Sequence, residues 1–144
     1  MAEISGIAHI QLSVRDMGVS KPFYATLLQS MGMTPVMDDQ SFYYCVGGKT
    51  GVAITPAARE HSGHRFQQGT VGLHHVCFRA KSREDVDALY QLAVQLSARI
   101  IRAPQESDFA PGYYSTLFED PDGIRLEVNF VPGKGLLAEK SSPA

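Results

Sequence analysis

Residues 6–14 read GIAHIQLSV, and residues 72–80 read GLHHVCFRA. Superimposed, the two stretches align His9 with His75, and each histidine follows a glycine by three residues. A repeated strand-like segment that carries a repeated histidine predicts two copies of one structural unit. Because imidazole is the commonest protein ligand for transition metals, the pair also predicts that the two histidines meet at one metal site.

The composition is that of an ordinary globular protein, with 144 residues, 44% of them hydrophobic, and a formal net charge of -2. This charge gives no reason to expect nucleic acid or a membrane surface as a partner. The first residues lack the basic and apolar regions of a signal peptide. Two isolated cysteines, Cys45 and Cys77, are too few for a disulfide framework, so we expect a cytoplasmic protein.

The first half of the chain predicts a strand, a helix and a hairpin. Apolar and polar residues alternate over 7–14, which is the period of a strand. A helix is expected to begin after Asp16, a good N-terminal cap, and to stop near Gly32. Two β-rich runs follow at 41–47 and 51–55, separated by a Gly-Lys-Thr turn.

The second half repeats this order. After the strand at 72–80, Ser82 and Asp85 form a capping box that opens a helix. Three short strands are then predicted, at 99–102, 113–119 and 124–130. Each half therefore reads βαβββ, which predicts an α+β fold of two tandem modules.

We expect one domain over residues 1–144. Its predicted parts are module one (about 5–57), a polar linker (about 56–71), module two (about 72–131) and a loosely held tail (about 133–144).

This pattern resembles the vicinal oxygen chelate superfamily, which includes glyoxalase I, extradiol dioxygenases, methylmalonyl-CoA epimerase, and the fosfomycin and bleomycin resistance proteins. The stretches FYATLL (23–28) and FEDPDGIRLEV (118–128) carry the resemblance together with the repeat, over about residues 5–131. It implies two curved half-barrels of mixed sheet that enclose a cavity and bind a small-molecule substrate. It also implies a homodimer that covers the open sheet edges.

The resemblance implies a metal site on the first and last strands of the modules. The matching ligands are His9, His75 and Glu127, and one divalent ion of zinc, nickel, manganese, iron or cobalt would suit them. Strand alternation agrees, because it turns Glu127 away from the helices, where an unpaired carboxylate among apolar neighbours is costly. Aligning the hairpin glycines places Thr55 at the fourth position, where glyoxalase I has Glu or Gln.

Several further side chains are expected to line the pocket: Gln11, Thr55, Cys77, Arg79, Tyr113 and Arg125. The two arginines are open to either role, binding an anionic substrate or forming salt bridges. Cys77 is expected to be a buried, inert thiol, and His74 to point away from the face of His75. In the pairs Tyr43–Tyr44 and Tyr113–Tyr114, alternation lets only one member point inward.

Two functions remain open from these residues. The first is a metal-dependent enzyme, a lyase or isomerase, dioxygenase or transferase, in which the metal acts as a Lewis acid on vicinal substrate oxygens. The second is a non-catalytic binder in the manner of the bleomycin resistance proteins. Thr55 weakens the isomerase assignments without selecting another reaction, and metal analysis would discriminate between enzyme and binder.

Overall fold

The computed structural model describes residues 1–137, which form two compact units. One unit comprises residues 1–67 together with 120–124, and the other comprises 68–119 together with the stretch that begins at residue 125. No described helix combines the length and apolar character that a bilayer-spanning segment needs.

The first unit contains module one. Its elements are β1 (His9–Val14), α1 (Met17–Ser30), β2 (Thr34–Asp38), β3 (Tyr43–Gly47) and β4 (Thr50–Pro56). The strands form a sheet in the order β1-β4-β3-β2, in which β1 and β4 are parallel and the other pairs antiparallel. Helix α1 begins as predicted, because the Asp16 side chain accepts a hydrogen bond from the backbone N–H of Gly18.

The second unit contains module two. Its elements are β5 (Val76–Arg79), α2 (Arg83–Gln95), β6 (Arg99–Ser107), β7 (Tyr113–Glu119) and β8 (Arg125–Phe130). The sheet order β5-β8-β7-β6 repeats that of the first sheet, again with the first and last strands parallel. Ser82 caps α2 by accepting a hydrogen bond from the N–H of Asp85, which confirms the predicted start of the helix and one of the two bonds of the capping box.

The α+β fold of two tandem βαβββ modules is therefore confirmed, with some shifted boundaries. Strand β2 was not among the predicted β-rich runs, and all five of its residues are exposed. The first strands begin later than the repeat suggested, at His9 and at Val76. Of the expected loose tail, residues 135–137 form a short 3-10 turn, and residues 138–144 lie outside the described part of the chain.

The turn of residues 120–124, between β7 and β8, is held by buried polar contacts within the first unit. Asp120 Oδ2 accepts a hydrogen bond from the Tyr24 hydroxyl at 2.6 Å, and its Oδ1 accepts from the N–H groups of Asp122 and Ile124. Asp122 in turn accepts from the backbone and guanidinium nitrogens of Arg15. The side chains of both aspartates thus stabilise the turn.

Replacing Tyr24 by phenylalanine tests this arrangement. Tyr24 is fully buried, and without its hydroxyl the Asp120 carboxyl loses a donor that water cannot replace. We expect Tyr24→Phe to lower the free energy of unfolding by about 1.5–3 kcal/mol, measured by urea denaturation. The matched control is Tyr114→Phe, whose hydroxyl bonds Asp87 at an exposed position and should cost under about 0.5 kcal/mol. Equal losses in the two variants would contradict the assigned role of Tyr24.

Candidate metal and substrate site

One face of the second sheet is covered by α2, and the other carries the predicted site residues. On the α2 side, Leu126 and Val128 of β8 are fully buried. Glu127, between them, therefore projects from the opposite face, as alternation predicts. In the parallel register Cys77 pairs with Glu127, so these two side chains share that face.

Glu127 is the centre of a hydrogen-bonded cluster on this face. Its Oε2 lies 3.2 Å from Nε2 of His75, whereas its Oε1 accepts from the Tyr113 hydroxyl at 2.9 Å and from Arg102 at 3.3 Å. Arg102 also donates to the Ser115 hydroxyl at 2.7 Å. The two carboxylate oxygens thus differ in their contacts. Oε1 accepts hydrogen bonds from Tyr113 and Arg102, whereas Oε2 faces His75.

These contacts keep the carboxyl ionised. Burial by itself raises the pKa of Glu127, but hydrogen bonds from Tyr113 and Cys77 and the nearby His75 outweigh it, and the pKa lies below its usual value. Tyr113 is affected in the opposite direction: desolvation, partly offset by a hydrogen bond from Asn129, raises its pKa to about 12. Tyr113 is therefore a protonated donor at neutral pH, and Glu127 is an anion.

The expectation of a buried thiol at Cys77 is wrong, because the residue is exposed. Neighbouring protein atoms still desolvate the sulfur, and the Glu127 carboxylate acts in the same direction, so the pKa of the Cys77 thiol is raised. The thiol is consequently protonated and weakly nucleophilic, as predicted.

His74 lies on the surface, but not for the predicted reason. Residues 72–75 precede β5, so strand alternation does not apply to them. The Nδ1 atoms of His74 and His75 are 2.8 Å apart, and His74 Nδ1 also lies 3.3 Å from the Gln68 amide nitrogen. The two rings are therefore in contact through Nδ1, which leaves Nε2 of His75 directed at Glu127.

In the first unit, His9 begins β1 and is exposed, with Gln11 on the same face. His9 pairs with Gly51 across β1 and β4. The Tyr44 ring packs against Gly51 and lies edge-on to the His9 ring, with 6.2 Å between the ring centroids. A Cβ at residue 51 would come within 2.5 Å of the Tyr44 ring, so this packing requires glycine. Tyr43 is buried on the other face of the sheet. Of the pair Tyr43–Tyr44, it is therefore Tyr44 that shares the face of His9 and Gln11.

The strand registers revise the module-one counterpart of Glu127. Equating His9 with His75 equates Gln11 with Cys77, and the β1–β4 register then pairs Ala53, not Thr55, with that position. The glycine alignment failed because the turn between β7 and β8 is longer than the one between β3 and β4. The Thr55 hydroxyl donates to a backbone carbonyl, that of Ser41. An alanine methyl group cannot bind a metal, so the fourth position still carries no ligand.

The arginines of the second sheet separate into two roles. Arg125 lies 3.9 Å from the Glu119 carboxylate, which makes it an ion-pair partner. Arg79 forms no ion pair with any side chain in residues 1–137, and it lines a cavity of about 660 Å³ together with Tyr113 and Asn129. In the pair Tyr113–Tyr114, the second tyrosine instead bonds Asp87 of α2.

Within the described part of the chain, no group of three or more His, Cys, Asp or Glu side chains is arranged to hold a metal ion. Two of the predicted ligands, His75 and Glu127, meet in the second unit. His9 belongs to the first unit, and the three-ligand set stays a prediction.

A family model described as the Glyoxalase/Bleomycin resistance protein/Dioxygenase superfamily matches residues 6–128. The chain belongs to this superfamily. The uncharacterized protein YqjT of Bacillus subtilis (strain 168) is 26% identical over 122 residues, which are 83% of this chain and 94% of YqjT.

Solved structures of the superfamily share the fold. A glyoxalase/bleomycin resistance protein from Albidiferax ferrireducens T118 matches with a TM-score of 0.72 and 25% identity over 86% of this chain and 98% of its own. The lactoylglutathione lyase from Agrobacterium tumefaciens matches with a TM-score of 0.65 and 20% identity over 90% and 96%. The family match over residues 6–128 confirms the superfamily resemblance inferred from the repeat, and these structures agree with it in fold.

Arg102, which contacts Glu127, was not among the site residues predicted from the sequence. Its side chain reaches Glu127 from β6, whose pairing with β7 shifts register on both sides of Arg102. Simple alternation along the strand could not assign such a residue to a face. The sequence signal was limited to an arginine within a β-rich run.

The hydrogen bond from Tyr113 to Glu127 can be tested directly. We expect Tyr113→Phe to raise the pKa of Glu127, because an important hydrogen-bond donor to the ionised carboxylate is lost. The pKa is measured by ¹³C NMR titration of the glutamate carboxyl groups. A depressed carboxyl pKa contributes stability at neutral pH that is lost on acidification. The variant should therefore be destabilised more at pH 7 than at pH 3. Tyr44→Phe, in the other unit, is the control, and an unchanged Glu127 titration in Tyr113→Phe would refute the assignment.

Proposed function

We propose that the protein is a metal-dependent enzyme that acts on a small molecule, with His9, His75 and Glu127 as the metal ligands. The separation of 3.2 Å between His75 Nε2 and Glu127 Oε2 carries the proposal. Two ligand atoms bonded to one ion at about 2.0–2.2 Å, at right or tetrahedral angles, lie roughly 2.8–3.6 Å apart, and the observed separation falls within this range. The ionised state of Glu127 is the state that binds a metal.

His9 is the proposed third ligand because it occupies in module one the place that His75 occupies in module two. Its side chain is exposed at the start of β1. Two imidazoles and a carboxylate suit zinc, nickel, manganese, iron or cobalt and leave positions open for substrate. Bound there, the metal would supply Lewis acidity toward adjacent substrate oxygens.

The chain's own residues set the remaining chemistry of the site. Tyr113 and Arg102 hold Oε1 of Glu127 and so direct Oε2 to the proposed ion. Ala53 offers no carboxylate in module one that could act as a general base. A base, if the reaction needs one, must therefore be sought outside this position, and a lyase or isomerase, dioxygenase or transferase reaction remains within the proposal.

Metal analysis tests the ligand set. Purified protein incubated with Zn²⁺, Ni²⁺, Mn²⁺, Fe²⁺ or Co²⁺ and then desalted should retain about one ion per chain, measured by inductively coupled plasma mass spectrometry. His75→Ala should lower the affinity by roughly 10²-fold or more, because one of three protein ligands is removed. The matched control is His64→Ala in the exposed loop before β5. Retention of the metal by His75→Ala, or no uptake by the parent protein, would exclude the proposed set.

The protein is also proposed to be a cytoplasmic homodimer. The edge strand β2 leaves Val36 and Met37 more than half exposed, and uncovered apolar edges favour association. Light scattering at micromolar concentration should give twice the chain mass of 15.7 kDa. A monomeric mass under these conditions would contradict this assembly.

A second candidate function is a binder without catalysis. It is favoured by Ala53 at the fourth position and by the two protein donors that already occupy Oε1 of Glu127. Such a protein would bind its small molecule equally well with and without metal. The enzyme proposal requires binding or turnover to depend on the metal.

A further inference from the structure

A cavity of about 660 Å³ lies in the second unit, beside the cluster around Glu127. Its walls come from β5, β7 and β8, the loop before β7, and residues 131–137. Two of the lining side chains are cationic, Arg79 and Lys134, and none of the lining residues found in the described chain is acidic. The charge of the lining therefore favours an anionic ligand.

Arg79 is the cation best placed to bind such a ligand. It pairs in register with Asn129, so the two side chains stand next to each other on the same face as Cys77 and Glu127. Throughout residues 1–137 no carboxylate pairs with the Arg79 guanidinium. A planar guanidinium with unused donors is suited to a carboxylate.

Asn129 offers a hydrogen-bond acceptor at the same place. The Tyr113 hydroxyl gives its proton to Glu127, so it can only accept from Asn129, and the amide nitrogen must face it. This orientation leaves Asn129 Oδ1, which is buried and has no hydrogen-bond partner among the described residues. A buried acceptor without a donor is costly, and a ligand O–H or N–H would satisfy it.

The third feature of the cavity is aromatic. The Phe109 and Tyr113 rings meet edge to face, with their centroids 5.3 Å apart. Phe109 lines the cavity and is 67% exposed, so its ring is accessible to a ligand there. An apolar or aromatic group on the ligand would cover this ring.

From these three features we propose that the cavity binds a 2-hydroxycarboxylate with an apolar or aromatic substituent. Its carboxylate pairs with Arg79, its hydroxyl donates to Asn129 Oδ1, and its substituent packs on Phe109. Only the view that this ligand is a substrate rests on the proposed function. The carboxylate and hydroxyl would then be the vicinal oxygens that a metal at Glu127 binds. The binding subsite itself stands on contacts that involve no metal.

Isothermal titration calorimetry with three probes tests the subsite. Mandelate carries the carboxylate, the hydroxyl and the ring; phenylacetate lacks the hydroxyl, and 1-phenylethane-1,2-diol lacks the charge. With the full-length protein free of metal, mandelate should bind roughly 10-fold more tightly than either comparison compound. No binding of mandelate up to about 10 mM, or equal binding of all three, would overturn the proposal.

Two variants assign the contacts, and far-UV circular dichroism checks that each folds. Arg79→Gln should weaken mandelate and phenylacetate by roughly 10-fold and leave the diol unchanged. Asn129→Leu should remove the preference for mandelate over phenylacetate. The control is Arg125→Gln, an arginine of the same sheet face that is paired with Glu119. Mandelate affinity that is unaffected in Arg79→Gln would refute the subsite.

The same titrations repeated with metal separate this inference from the proposed function. Mandelate binding that depends on Arg79 in a protein that takes up no metal would support the subsite and exclude the metal-dependent enzyme. Metal uptake that depends on His75, without any mandelate binding, would support the metal site and exclude this ligand class.

Discussion

Each module pairs its first strand with its last strand in parallel, and the candidate site depends on this pairing. In module two it brings β5, which follows His75, alongside β8, which carries Glu127, although the two residues are far apart in sequence. The helix that connects the first strand to the rest covers one face of the sheet, so the polar members of β5 and β8 are directed to the other. Local sequence alone could not bring a histidine and a glutamate within 3.2 Å of each other; the parallel pairing does.

Around this pairing, the polar residues act as one connected unit. Asn129, Tyr113 and Glu127 form a chain of hydrogen bonds in which each group has a defined donor or acceptor role. The chain begins at the cavity beside Arg79 and ends at the carboxylate beside His75, so the ligand proposed for the cavity would be coupled to the charge distribution at Glu127. A ligand that bonds Asn129 would polarise the same chain.

Much of this arrangement follows from sequence patterns, and the failures have physical causes. The repeat of GIAHI and GLHHV, the capping residues Asp16 and Ser82, and the alternation around Glu127 are local signals, and they predicted the modules correctly. The counterpart of Glu127 was misplaced because it depends on turn length, which shifts pairing without changing the strand pattern. The contact between Arg102 and Glu127 depends on the irregular pairing of β6 with β7. The contact between His74 and His75 arises because β5 begins only after these two residues, so strand alternation does not separate them.

The buried turn at Asp120 makes the folding of this protein a proton-binding reaction. Burial raises the pKa of the Asp120 carboxyl to about 6, although hydrogen bonds from Tyr24 and the backbone act in the opposite direction. Between this value and the lower pKa of an unfolded aspartate, the folded chain holds a proton that the unfolded chain releases. For this group, the contribution to stability is therefore full below the pKa of an unfolded aspartate and is lost as the pH rises from there through about 6. At neutral pH the turn retains the buried negative charge of Asp120, which accepts hydrogen bonds from the Tyr24 hydroxyl and from the backbone N–H groups of Asp122 and Ile124.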